Sequence, residues 1–281
     1  MKSLSKTSKT WVFIMSIFIL NACSSAEKTA QSKLAEEFAS QPLQPETILT
    51  LEDIAHLPKP VQAYLTYTGA IGKAIPQNVR IEFEADMFNK PGDSPMKATS
   101  TQTNFFGSFS RIFLMKASKM GLPFQARHIY SNQQATFIVR VASLFNVVDI
   151  SGEELTRAET VTVLNDLCLF VPGILVDKRF TWREIDSLTT EISLTNGAYS
   201  VSALLFFNTK GELISFVSDD RSALQDDGSL KKARWTTPVG NYKDIDGRKI
   251  PTYGEAIWNY PEGDFTYGKF KLKSIVYNIS K

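Results

Sequence analysis

An alternation of period two constrains this chain more than any other feature. "RIEFEADM" sets Ile81, Phe83, Ala85 and Met87 against Arg80, Glu82, Glu84 and Asp86. Successive side chains of a strand point to opposite faces, so this pattern specifies a strand with one buried face. "LTTEISL" alternates in the same way, and "KFKLK" puts Phe270 and Leu272 against three lysines. In "AYSVSALLFF", Tyr199, Val201, Ala203, Leu205 and Phe207 form one apolar face. Turn signals such as Asn196-Gly197, Asp246-Gly247 and Pro261-Glu262-Gly263-Asp264 separate the runs. Short strands joined by hairpin turns predict an antiparallel sheet, here of about ten strands.

Helical spacing breaks the alternation at two places. "LPKPVQAYLTYTG" reads as a helix with proline in its first turn, Val61, Tyr64 and Leu65 on one face, and Gly69 as its stop. A turn of helix is expected before it, with Thr50 and Asp53 as its capping pair. "SGEELTRAETVTVLNDLCLFVPGIL" starts with Ser151, Glu153 and Glu154, and ends at Pro172-Gly173. Its Val161, Leu164, Leu167, Cys168 and Val171 recur at helical spacing. One large sheet needs its apolar face covered. The expected fold is therefore mainly β (α+β): a curled antiparallel sheet or half-barrel, covered by an N-terminal helical segment and a mid-chain helix. Six side chains are expected to line its interior: Phe113, Tyr199, Val201, Leu205, Phe207 and Trp258.

The start of the chain reads as an address. Lys2, Lys6 and Lys9 precede an apolar run from Trp11 to Leu20, too short to span a membrane. The run ends in "FILNACSS", where Leu20, Ala22 and Cys23 resemble a bacterial lipobox. That resemblance implies lipidation of Cys23, with residues 1–22 as the signal peptide. The expected division is then a lipidated tether over 23–49 and a single domain over 50–281. The expected location is the cell envelope, at the outer membrane facing the periplasm if the cell has two membranes. Without residues 1–22 the chain holds 28 basic and 29 acidic residues. Such a balance gives no support to nucleic-acid binding. Cys168 lies in an apolar setting and is expected to be a buried core thiol.

Catalytic motifs are lacking: there is no Gly-x-Ser-x-Gly, His-Glu-x-x-His, Walker loop or Gly-x-Gly-x-x-Gly. The two histidines, His56 and His128, are read as ordinary structural residues. Asp219, Asp220, Asp226 and Asp227 form an acidic turn without calcium-loop spacing, and Asp220 is a candidate partner for Arg221. No metal, cofactor or catalysis is expected. Glu255, set among aromatics, is expected to need a cation if buried, with Arg140 or Arg127 as candidates.

The wording from "WTTPVGNYKDIDGRKIPTYGEAIWNYPEGDFTYGKFKLKSIVYN", with "LPKPVQAYLTYTG" and "RVASLFNVVDISGEELTRAETVTVLND", resembles a bacterial domain family of unknown function. The resemblance covers most of residues 57–278 and implies no activity. The order of strands, helix and returning strands also looks like the half-barrel of the outer-membrane lipoprotein carriers and their lipid-binding relatives. That likeness implies binding of a lipid, another hydrophobic ligand or a lipoprotein in a cavity. The competing expectation is an envelope scaffold with a filled core, acting through protein partners.

Overall fold

The computed structural model describes residues 27–41, 45–142 and 144–280. The signal segment and Cys23 lie outside the described residues. Among the described residues the alternating runs form fifteen strands, where about ten are expected. Thirteen of them make one antiparallel, curled sheet that does not close into a barrel.

The first wing is a run of hairpins: β1 (Asn78–Met87), β2 (Met96–Phe105), β3 (Ser110–Lys119), β4 (Leu122–Ser131), β5 (Gln134–Val141) and β6 (Phe145–Ser151). The second holds β7 (Phe180–Asp186), β8 (Thr189–Asn196), β9 (Tyr199–Phe207) and β10 (Leu213–Ser218). A small separate hairpin follows, β11 (Ser222–Leu224) with β12 (Leu230–Lys232). Three long strands, β13 (Arg234–Ile245), β14 (Arg248–Tyr260) and β15 (Gly263–Tyr277), join the wings. The order is β6-β5-β4-β3-β2-β1-β15-β14-β13-β10-β9-β8-β7. The two edge strands, β6 and β7, are neighbours in sequence.

The helix between those edges is α3 (Glu153–Phe170), followed by a short 3-10 turn over Pro172–Val176. Its first turn carries Glu153 and Glu154, which complement the helix dipole. The residue before it is Gly152, at φ 110°, so Ser151 is not its cap. At its other end, two carbonyls without helical partners accept tyrosine hydroxyls: Cys168 from Tyr64 at 2.7 Å and Phe170 from Tyr277 at 2.8 Å. Val161, Leu164, Leu167 and Cys168 are fully buried in the main core with Val201, Leu205, Phe207 and Phe216. Burial pushes the Cys168 thiol well up, away from the reactive thiolate.

The helix read around Tyr64 is α2 (Lys59–Tyr67), with Pro60 in its first turn and Val61, Tyr64 and Leu65 buried. Gly69 follows at φ +67°. A Cβ there would stand 2.8 Å from the Gly247 carbonyl oxygen, so both backbone angle and space require glycine. Thr50 and Asp53 exchange capping hydrogen bonds, but residues 51–56 form turns.

Part of the segment expected to be a tether is helical. Residues 27–40 form a helix, α1, on the convex face of the first wing. Ala30, Leu34 and Phe38 make an apolar stripe against Phe105, Ile112 and Ile129, with Phe38 and Phe105 edge to face at 5.0 Å. The buried Glu37 carboxylate accepts hydroxyls from Ser110 (2.6 Å), Ser131 (2.5 Å) and Ser108 (3.2 Å). Glu27, at the helix start, pairs with Lys116. The helix thus runs antiparallel to β3, with its start toward the β3–β4 hairpin.

Candidate functional site

α3 packs against β4–β6 near its start and against β9 and β10, and leaves part of the first wing's concave face uncovered. Between α3 and the concave face of β1–β6 and β13–β15 lies a cavity of about 690 Å³. Its walls carry Phe83, Phe113, Phe137, Phe170, Trp235, Trp258 and Phe270. Along β3, burial falls from Ile112 to the exposed Lys119, and Lys119 lines the cavity with Lys90, Phe124 and Val147. The mouth therefore faces the hairpin ends. Met120, Leu122, Leu144, Phe145 and Val147 stand at that end, each half or more exposed.

The inner end is polar. Glu159 and Asp166, seven residues apart on α3, share the face toward the cavity. Arg111, in phase with Phe113 on β3, reaches both. Its Nε donates to Asp166 Oδ2 at 2.9 Å, Nη1 lies 3.4 Å from Glu159 Oε2, and Nη2 donates to Gln102 at 3.2 Å. Gln102 and Asn104 also donate to Asp166, at 3.0 and 2.9 Å. His128 Nδ1 is 3.1 Å from Glu159 Oε1, out of line for a good hydrogen bond. Arg221 Nη2 lies 3.6 Å from the same oxygen. Its guanidinium lies 4.2 Å from the Trp235 ring centre and 5.3 Å from that of Trp258.

The two acids titrate in opposite directions. Burial pushes Glu159 up, but His128, Arg111 and Arg221 more than offset it and hold the carboxyl at about 2. Burial also pushes Asp166 up, and there it wins, because Arg111 is the one cation beside it and the other donors are neutral amides.

Of the six expected lining residues, Phe113 and Trp258 line the cavity. Val201, Leu205 and Phe207 do not: they face α3 and α2 in the filled second wing, where Phe207 meets Tyr64 at 5.6 Å. Tyr199, half-buried at the β8–β9 hairpin, is also off the cavity. Glu255 and Arg140 do not meet. They sit on β14 and β5, six strands apart, a span on the order of 29 Å. Glu255 accepts from the Tyr253 hydroxyl at 2.5 Å, and Arg140 donates to Asn146 at 2.8 Å. Asp220 turns from Arg221 to accept from Ser202, and Asp219 pairs with Arg234. Among the described residues, no group of three metal-binding side chains forms. Nor is any helix there long and apolar enough to cross a membrane.

The polar inner end was missed. Its faint signals are an arginine in phase with an apolar strand face, and two acids seven residues apart on the buried part of a helix. Arg221, in a loop, gives none.

Residues 47–270 match the model of a family described as "Family of unknown function (DUF6544)". The chain belongs to this family. The match spans α2 through most of β15, and so contains every cavity residue named above; α1 lies outside it. No curated protein matches the chain. Solved structures similar to this DUF6544 chain include the following three. A LolA superfamily protein from Nitrosomonas europaea shares 13% identity over 79% of this chain and 94% of its own, with a TM-score of 0.43. A DUF1329 family protein from Desulfovibrio piger shares 13% over 73% and 88%, at 0.42. A putative outer membrane lipoprotein-sorting protein domain from Vibrio parahaemolyticus shares 10% over 73% and 86%, at 0.37. At these scores the likeness describes overall arrangement and decides nothing about a ligand.

Proposed function

We propose that this protein is a lipid-anchored envelope protein that binds an apolar molecule, of the lipid or acyl-chain class, between α3 and the first wing. The carrying observation is the cavity. Its volume of about 690 Å³ is within the range of small-molecule sites, roughly 300–1,000 Å³, and its walls are aromatic and aliphatic. A scaffold would have no use for an apolar hollow beside a well-filled second wing, since unfilled volume costs stability.

The membrane side of the proposal rests on the mouth. The start of α1, the cavity rim and the exposed apolar tips share one end of the molecule. Cys23 precedes Glu27 by four residues, at most about 14 Å of extended chain. A lipid on Cys23 would bring that end to the bilayer, where Lys90 and Lys119 suit anionic headgroups.

The test is a Cys23→Ser form purified without detergent. Native mass spectrometry is expected to find it with bound lipid, and the delipidated protein is expected to bind N-phenyl-1-naphthylamine, an uncharged fluorescent probe. An empty protein that ignores the probe, yet crosslinks in cells to one stoichiometric protein partner, would establish the scaffold instead.

A further inference from the structure

We propose that the molecule held in the cavity is an amphiphile with one acidic group, a carboxylate or a phosphate, received by Arg221, with its apolar tail toward the hairpin rim. This deepens the cavity reading above and rests on it.

Two arginines at the inner end differ in how their donors are met. Arg111 has its donors engaged by Asp166, Gln102 and Glu159. Arg221 does not. It is 9% exposed, its Nε has no hydrogen-bond partner, and its nearest carboxylate oxygen is 3.6 Å away. A guanidinium stays protonated and offers five donors in a fixed fork. Leaving such donors buried and unmet is costly, and an anionic oxygen is the partner that suits them best. Trp235 and Trp258 hold its position, and Arg221 itself lines the cavity.

The surroundings favour an anion over a cation. Glu159, whose carboxylate oxygen is 3.6 Å from Arg221, already faces Arg111 and His128. Asp166 lies on the far side of Arg111, and burial pushes it toward its neutral form. An added anionic oxygen therefore finds in Arg221 a buried guanidinium whose Nε is unmet and whose nearest carboxylate oxygen stands 3.6 Å away. From there outward the walls turn apolar through Phe113, Met115 and Phe270, so the acid belongs inside and the tail toward the mouth.

The experiment uses the Cys23→Ser protein and displacement of N-phenyl-1-naphthylamine. Palmitate and a long-chain alkyl phosphate are compared with methyl palmitate, and with inorganic phosphate alone. Each acid is expected to bind about tenfold more tightly than the ester, the worth of one charge-assisted contact. Inorganic phosphate, without a tail, is expected not to displace the probe. In Arg221→Gln the acids lose their advantage over the ester, and in Arg221→Lys part of it returns, with folding of both checked by thermal melting. Equal binding of acid and ester to the parent protein overturns the proposal, as does an advantage that survives Arg221→Gln. Probe binding with no acid preference leaves the cavity reading standing. Failure of the probe and every amphiphile to bind removes that reading and this one together.

Discussion

Glu159 is the residue on which the inner end of the cavity balances. It is buried among His128, Arg111 and Arg221, and these neighbours hold its carboxyl well below the usual range. Replacing it by glutamine leaves two buried guanidiniums without that charge. Glu159→Gln is expected to cost about 3–5 kcal/mol in urea unfolding, the usual effect of breaking a buried ion pair. The pH dependence has a definite sign. A carboxyl held below its ordinary 4.5 contributes stability above that pH and loses it as pH falls toward about 2. Asp166 works the other way, since its ionisation becomes less favourable on folding. Stability measured between pH 4.5 and 2 is therefore expected to fall less steeply in Glu159→Gln than in the parent. An unchanged slope would show that the cations do not hold Glu159.

At the scale of elements, α1 is a second layer on a sheet whose other face borders the cavity. Its attachment depends on Ala30, Leu34, Phe38 and the Glu37 carboxylate among three serines. Glu37→Ala leaves those hydroxyls without their acceptor, at about 2 kcal/mol. The loss is expected to be local: hydrogen exchange should speed up over residues 27–40, with β1 and β15 unchanged. The contrast between α1 and β1 shows what was legible in the sequence. Strict alternation from Ile81 to Met87 specified a strand and its inner face. The stripe of α1 has the spacing i, i+4, i+8, but it is thin within a polar stretch, and polar composition outweighed it. The face of β9 was also legible, as Val201, Leu205 and Phe207 are indeed buried. That they meet a helix rather than a hollow was not. Which part of the concave face α3 covers depends on packing between elements distant in sequence, and strand parity carries no record of it.

For the whole molecule, the cavity can be closed without touching its charged end. Ala126 faces the hollow between Phe124 and His128 on β4. Ala126→Trp is expected to abolish binding of N-phenyl-1-naphthylamine while changing the melting temperature little, because the ring enters existing space. The anchor has its own measurement: labelled palmitate is expected to enter the parent chain and not Cys23→Ser.

The sheet order also carries a consequence for the timing of folding. β1 lies beside β15 at the centre of the sheet, with Ile81 opposite Ile275. The first wing thus meets the rest of the sheet through β15, a strand far from it in sequence. Contacts so distant in sequence form slowly. A chain ending before Gly263 should stay protease-sensitive throughout, rather than fold as a shortened sheet. Until β15 is made, the first wing lacks the strand that joins it to the rest of the sheet.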